Sequence, residues 1–255
     1  RVIAIIVVLV IVNKWTNPAN KLSWTFLILL SPIFGLMVYF LFGRSGLTKH
    51  TRERMDAVNR QVEALFQRDS AVEKGLEKES RSAYLQSSYI DKWAGFPLYQ
   101  NTQTKYYSCG EEMFPDMLEA LRGAKHFIFL EYFIIEEGYM FNTILDILEE
   151  KAKAGVDVRF IYDDVGSINS ISFGYYKKLQ ERGIPCVTFN PFKPLISVVM
   201  NNRDHRKIFV VDGYIGFTGG INLADEYINK VKRFGYWKDT GVRIEGEAVW
   251  SLTAM

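Results

Sequence analysis

A chain of 255 residues, 48% hydrophobic and with a formal net charge of +2, is too apolar for a disordered tail and long enough for one or two folded units. The small basic excess falls far short of the charge that tracks a nucleic-acid backbone, so electrostatics give no support to a DNA- or RNA-binding reading. Cys109 and Cys186 have no framework spacing and no further ligand candidates nearby, so they indicate neither a disulfide nor a zinc site.

The first element, residues 2–12, is an apolar run behind Arg1. Its length suits a signal-peptide core, but Asn13-Lys14-Trp15 is no small-residue cleavage site, and the run reads as the end of a first transmembrane helix. Residues 22–42 carry no charge and include Trp24, Phe26, Phe34, Tyr39 and Phe40. About 21 such residues can span a bilayer, and Pro32 and Gly35 are tolerated inside a span. A buried core helix is the alternative, although such helices rarely run so long without a polar face. With the short loop 13–21 the two spans form a predicted helical hairpin. Arg44, Lys49, Arg52 and Arg54 follow it and outnumber Lys14 and Lys21 in the loop, which places the rest of the chain on the cytoplasmic side.

Residues 43–88 read as an amphipathic helical linker. Met55, Val58, Val62, Leu65 and Phe66 recur at helical spacing among charges, and Ser70-Ala71-Val72-Glu73 has the form of a capping box. A stalk lying on the bilayer or on the rest of the chain and a solvated linker fit this pattern equally.

Residues 89–255 alternate strand-like and helix-like segments: a strand over 126–135, a helix over 139–154 closed by Gly155, and a strand over 156–162. A helix over 173–182 stopped by Gly183 and a strand over 186–189 follow. This order predicts an α/β layer architecture with a mixed, largely parallel sheet and helices on both faces. Glu131, Asp163 and His205 fall near strand ends, where the sites of open α/β sheets gather.

The most informative segment lies within residues 199–226. His205, Lys207 and Asp212 make H-x-K-x4-D, followed by Gly219, Gly220 and Asn222. A strand is predicted over 207–211, ended by an Asp212-Gly213 turn. Side chains two apart on a strand share a face, so His205 and Lys207 can address one anionic group. The glycine pair lets backbone approach that group, and Asn222 would open a helix over Leu223-Ala224-Asp225-Glu226-Tyr227-Ile228, whose N–H groups suit phosphate. The chemistry suggested is attack of a neutral imidazole on a phosphodiester, with Lys207, Asn222 and backbone donors stabilising the charge. No metal or other cofactor is required. The bland alternative is a basic strand end with an ordinary hairpin.

At these residues the chain resembles the phospholipase D superfamily, matching every defined position of its signature H-x-K-x4-D-x6-G-[GS]-x-N. The segments NPANKLSW, LEYFII, YDDVGS, NNRDHRKIFVVDG and WKDTGVRIEG narrow the resemblance to bacterial cardiolipin synthases. The resemblance implies His205 as a nucleophile forming a phosphohistidine, Lys207 and Asn222 as phosphate ligands, and Asp212 as a support for the site. It also implies a multi-pass protein of the bacterial cell membrane, with phosphatidylglycerol and the bilayer as partners. Such enzymes carry two HKD motifs, whereas neither His50 nor His126 here is followed two positions later by Lys. The chain therefore reads as an N-terminal piece whose site needs a second HKD half. A phospholipase D hydrolase or another phosphatidyltransferase, a homodimeric nuclease and a non-catalytic membrane protein are the rival readings.

Further residues are candidates. Glu131 lies in the apolar run FIFLEYFII, where a carboxylate needs a partner; orienting a site residue and making a structural hydrogen bond explain it equally. Asp163 and Asp164 suggest an acid/base pair, but neighbours on a strand face opposite ways, which favours loop capping. Tyr236, Trp237 and Asp239 match the family's W-x-D element and either line the lipid path or serve as a core Trp with a turn Asp.

Overall fold

A computed structural model describes residues 1–43, 49–191 and 203–255. Arg44 of the charge count and residues 199–202 of the motif region lie outside them. The chain divides into two compact units, whose described residues are 1–43 with 49–55, and 56–191 with 203–255.

In the first unit, α1 (Val2–Asn13), α2 (Pro18–Leu30) and α3 (Pro32–Phe42) follow one another closely. Asn17 caps α2 by accepting from the Ala19 N–H at 2.9 Å, with Pro18 at the first helical position. The single span expected over 22–42 is two helices. Pro32 has no N–H to continue α2 and disfavours helical backbone at the residue before it, and Ser31 is accordingly extended at φ −137° and ψ 87°. The chain folds back at this break, so that a Cβ on Gly35 would lie 2.7 Å from the Ile28 Cα. Ile28 and Tyr39 are buried together with Ala4 and Ile11, and Trp24 meets Tyr39 edge-on at 5.5 Å. Among the described residues no helix is long and apolar enough to cross a membrane.

Beyond α4 (Lys49–Glu63) come α5 (Ser70–Glu79) and α6 (Arg81–Ala94), so the helical region runs past residue 88. Asp69, rather than Ser70, caps α5 by accepting from the Ala71 N–H at 2.8 Å. The carboxylate is as good a cap as the hydroxyl and adds charge that favours a helix N-terminus.

Among the described residues seven strands form one sheet: β1 (Thr102–Tyr107), β2 (Phe127–Tyr132), β3 (Asp157–Asp163), β4 (Cys186–Phe189), β5 (Ile208–Val211), β6 (Ile215–Gly219) and β7 (Gly241–Gly246). Their order is β1-β7-β6-β5-β2-β3-β4, and only the β2-β3-β4 run is parallel. The expected largely parallel sheet is thus mixed and predominantly antiparallel. The β5–β6 connection explains part of the difference: Asp212 and Gly213 take φ of 53° and 65°, the tight hairpin geometry that reverses the chain. One face carries Ile128, Leu130, Tyr132, Phe160, Phe209 and Phe217 into the main core. There they pack with α7 (Gly110–Gly123), α8 (Tyr139–Lys153) and α9 (Tyr175–Glu181). On the other face Ile208 and Val210 meet α10 (Val249–Ala254) through Val249.

Candidate active site

One end of the sheet gathers the chemistry. There β2 and β3 finish, β5 begins, β6 finishes and β7 begins, because the Glu131↔Ile208, Ile208↔Thr218 and Gly219↔Gly241 pairs are in register. His205 and Lys207 precede β5, which starts at Ile208, one residue later than the expected strand. His205 is exposed and meets the Phe133 ring edge-on at 4.7 Å. Lys207 is only 4% exposed, with Nζ 5.4 Å from the same ring and donating to the His205 carbonyl at 2.7 Å. Burial pushes its ammonium below the ordinary lysine value, while Asp239 and then Asp204 draw it back up. The sequence did not single out Phe133, which joins the two side chains.

Asn222 is 2% exposed; its Oδ1 accepts from the Ile134 N–H at 3.0 Å and its Nδ2 donates to the Tyr227 hydroxyl at 2.7 Å. The helix expected to start there is a single 3-10 turn (Asp225–Ile228), so Asn222 does not stand at a helix N-terminus. A Cβ on Gly219 would overlap the backbone carbonyl of Thr240, and one on Gly220 would displace the Asp239 carboxylate. Asp239 accepts from the Thr240 N–H at 2.8 Å. Trp237 packs on Tyr227 at 5.1 Å, and its backbone is bonded in both directions by Asn229, a residue that carries no motif.

Asp212 stands at the opposite end of β5, on the order of 20 Å from His205 at ~3.3 Å per strand residue. Its carboxylate accepts the backbone N–H groups of Lys125, His126 and Phe127 at 2.7 to 2.9 Å. Although burial opposes ionisation, these donors hold it below the usual carboxylate range. Its geometry anchors the start of β2 to the β5–β6 hairpin, and any support reaches the site through the strands. Asp163, 1% exposed, accepts from Gly166 N–H at 2.8 Å and from Asp204 N–H at 3.0 Å, with an Arg203 nitrogen at 3.3 Å. It caps its own loop, as expected, and also ties down the segment that delivers His205.

Glu131 belongs to the other face of the sheet, with Arg206 and Asp204, neither of which sequence reasoning identified. Arg206 Nε lies 2.7 Å from Glu131 Oε1 and 3.1 Å from Asp204 Oδ1; its N–H is directed at Asp204, leaving Oε1 in ionic contact without an aligned donor. Burial and a hydrogen bond with Asp204 push the Glu131 carboxyl up to about 8. Asp204 moves the other way: against the effect of burial, hydrogen bonds from Glu131 and Arg206 hold it below its ordinary value. Among the described residues no group of His, Cys, Asp and Glu side chains is arranged to hold a metal.

Residues 117–233 match the family model described as cardiolipin synthase, PLD-like domain, and residues 2–44 match phospholipase D-nuclease N-terminal. Residues 117–233 are a phospholipase D-like domain of the kind that the first of these models describes. An uncharacterized protein of Streptococcus mutans is 40% identical over 97% of this chain and 54% of its own. Cardiolipin synthase of Geobacillus is 37% identical over 92% and 47%, and cardiolipin synthase 1 of Bacillus cereus 36% over 100% and 50%. The chain spans about half the length of these curated relatives. Within the phospholipase D-like domain, His205 and Lys207 meet the Phe133 ring and Asn222 holds the adjoining Ile134 N–H, while the HKD aspartate is a strand's length away.

Proposed function

We propose that this chain is the nucleophile-bearing half of a membrane-seated phosphatidyltransferase that converts two phosphatidylglycerol molecules into cardiolipin and glycerol. The observation that carries the reading is the pairing of an exposed His205 with a buried Lys207 against one aromatic ring. The imidazole is accessible to a lipid phosphorus, and the ammonium is confined where a non-bridging oxygen would replace its contact with the His205 carbonyl.

In the proposed reaction a ring nitrogen of neutral His205 attacks phosphorus. A P–N bond forms, the P–O bond to the headgroup glycerol breaks, and glycerol leaves with a proton from a general acid in a second HKD half. The headgroup hydroxyl of a second phosphatidylglycerol then gives its proton to that group and attacks phosphorus, which breaks the P–N bond and frees His205. Asn222 retains one of its two amide N–H groups for a phosphate oxygen, since Tyr227 takes the other. Apart from the side chains of the small buried cluster, α1, α2 and α3 leave large apolar residues such as Ile3, Leu22, Phe26 and Ile33 exposed, a surface suited to lipid. The charge asymmetry of the sequence supports a cytoplasmic position for the phospholipase D-like domain.

The test is product analysis by thin-layer chromatography and mass spectrometry, using membranes that express the longest reading frame containing this chain and labelled phosphatidylglycerol. Cardiolipin and glycerol are expected, and His205→Ala abolishes both. The exposure of His205 also leaves the intermediate open to water; phosphatidic acid as the only product identifies a phospholipase D-type hydrolase, and equal products with and without His205 rule out the nucleophile assignment.

A further inference from the structure

The loop over residues 229–240 interleaves rings with cations. Phe234 is 81% exposed and Val231 and Tyr236 are exposed beside it; Lys232 and Arg233 lie between Val231 and Phe234, with Arg233 paired to Glu226 at 2.9 Å, and Lys230 and Lys238 flank the rings. The loop's one acid, Asp239, is turned inward to the Thr240 N–H and toward Lys207. The loop is held at its neck. Trp237 N–H donates to Asn229 Oδ1 at 2.7 Å while Asn229 Nδ2 donates to the Trp237 carbonyl at 2.8 Å, closing residues 230–236 into a projecting turn. A second loop leaves the same end of the sheet with Phe173 88% exposed and Ile168 exposed. The Ser167 and Ser170 hydroxyls fasten it to the Phe133 and Ile135 carbonyls.

We propose that these two loops form an interfacial foot that seats in an anionic lipid surface around the mouth of the His205 site. Rings with cations between them match the boundary of a bilayer, where aromatic side chains take the headgroup level and lysines meet lipid phosphates. Single-stranded nucleic acid also binds rings and cations, but Val231 and Ile168 offer no face for base stacking, and a net charge of +2 is weak for a polyanion. The foot is connected to the site. Trp237 packs on Tyr227, whose hydroxyl holds Asn222, so the surface that meets lipid is two contacts from a proposed phosphate ligand. The proposal rests on the lipid-substrate reading, and its test reads depth in a bilayer rather than turnover, so each can fail without the other.

The experiment uses the full chain reconstituted in vesicles with a Cys109→Ser background. Cys186 is buried and its thiol is pushed up to about 12 by burial, so it stays unlabelled. An environment-sensitive nitrobenzoxadiazole label is placed through Phe234→Cys, through Phe173→Cys, and, as a control at the opposite end of the sheet, through Tyr214→Cys. In phosphatidylglycerol vesicles the labels at 234 and 173 are expected to brighten at least twofold and to be quenched by lipids carrying shallow nitroxides. The label at 214 stays unchanged, and Lys232→Glu with Lys238→Glu reverses the effect at 234. Water-like emission at both 234 and 173, or an equal response in neutral phosphatidylcholine vesicles, overturns the proposal. So does brightening by single-stranded DNA where phosphatidylglycerol has no effect, which would assign the surface to nucleic acid.

Discussion

At the scale of single residues, the site divides into what spacing reveals and what only the fold supplies. His205 and Lys207 were legible because two-residue alternation puts neighbours-but-one on one face, and both reach Phe133. The clamp of Asp212 on residues 125–127 was not, since nothing local specifies a contact 85 to 87 positions away. Glu131 was legible as a buried carboxylate in need of a partner, but Arg206 and Asp204 as those partners depend on the β2–β5 register. That cluster carries a pH prediction. The Glu131 carboxyl is raised in the folded chain, so its contribution to stability is complete below its ordinary value near 4.5 and is lost as pH rises through about 8. Asp204, lowered, contributes above its ordinary value and loses its contribution in acid. The singly protonated pair is therefore favoured from mildly acidic to neutral pH. Thermal unfolding between pH 6 and 8.5 should show the melting temperature of the second unit falling with pH, and Glu131→Gln, which keeps the neutral form, should flatten that fall. An undiminished slope in the variant rules the cluster out as its source.

At the scale of elements, the helices with strong periodicity were readable and those shaped by a break or a remote cap were not. Residues 139–154 were expected as a helix, and 139–153 form α8. Residues 22–42 were expected as one helix because hydropathy is blind to backbone, yet Pro32 divides them into α2 and α3. β1 and β7 went unpredicted: the TQTKYY and GVRIEG runs gain their strand character by pairing with each other. The N-terminus of α8 also depends on a distant residue. Gly138 brings no side-chain cap, and Asp225, from the 3-10 turn, accepts the Tyr139 and Met140 N–H groups at 2.9 and 2.7 Å. Removing that acceptor leaves two donors of the first turn without a partner. Asp225→Ala should cost about 1 kcal/mol, and Asp225→Asn less, by the usual worth of an N-cap. Hydrogen exchange gives the check: the Tyr139 and Met140 amides should lose protection first, and unchanged protection there would contradict the cap.

At the scale of the whole molecule, the question is which proton donor serves the leaving group. Of the chain's three histidines, His126 is the second in this unit, and it lies just before β2, at the end of the sheet where Asp212 is bound. Six residues of β2 separate it from the site end, ~20 Å at ~3.3 Å per residue, too far for proton transfer to a group on His205. A glycerol alkoxide is a poor leaving group without an acid, whereas p-nitrophenolate needs none. If His205 is the nucleophile and the acid comes from a second HKD half, this chain alone should react with a phosphatidyl p-nitrophenyl diester to release about one p-nitrophenol per chain and then stall, as expected when a covalent intermediate accumulates. With phosphatidylglycerol it should release no glycerol until a second half is supplied. The burst is read at 400 nm and disappears with His205→Ala. Sustained glycerol release by the chain alone would mean that the acid is already within it, and the half-site assignment would have to be given up.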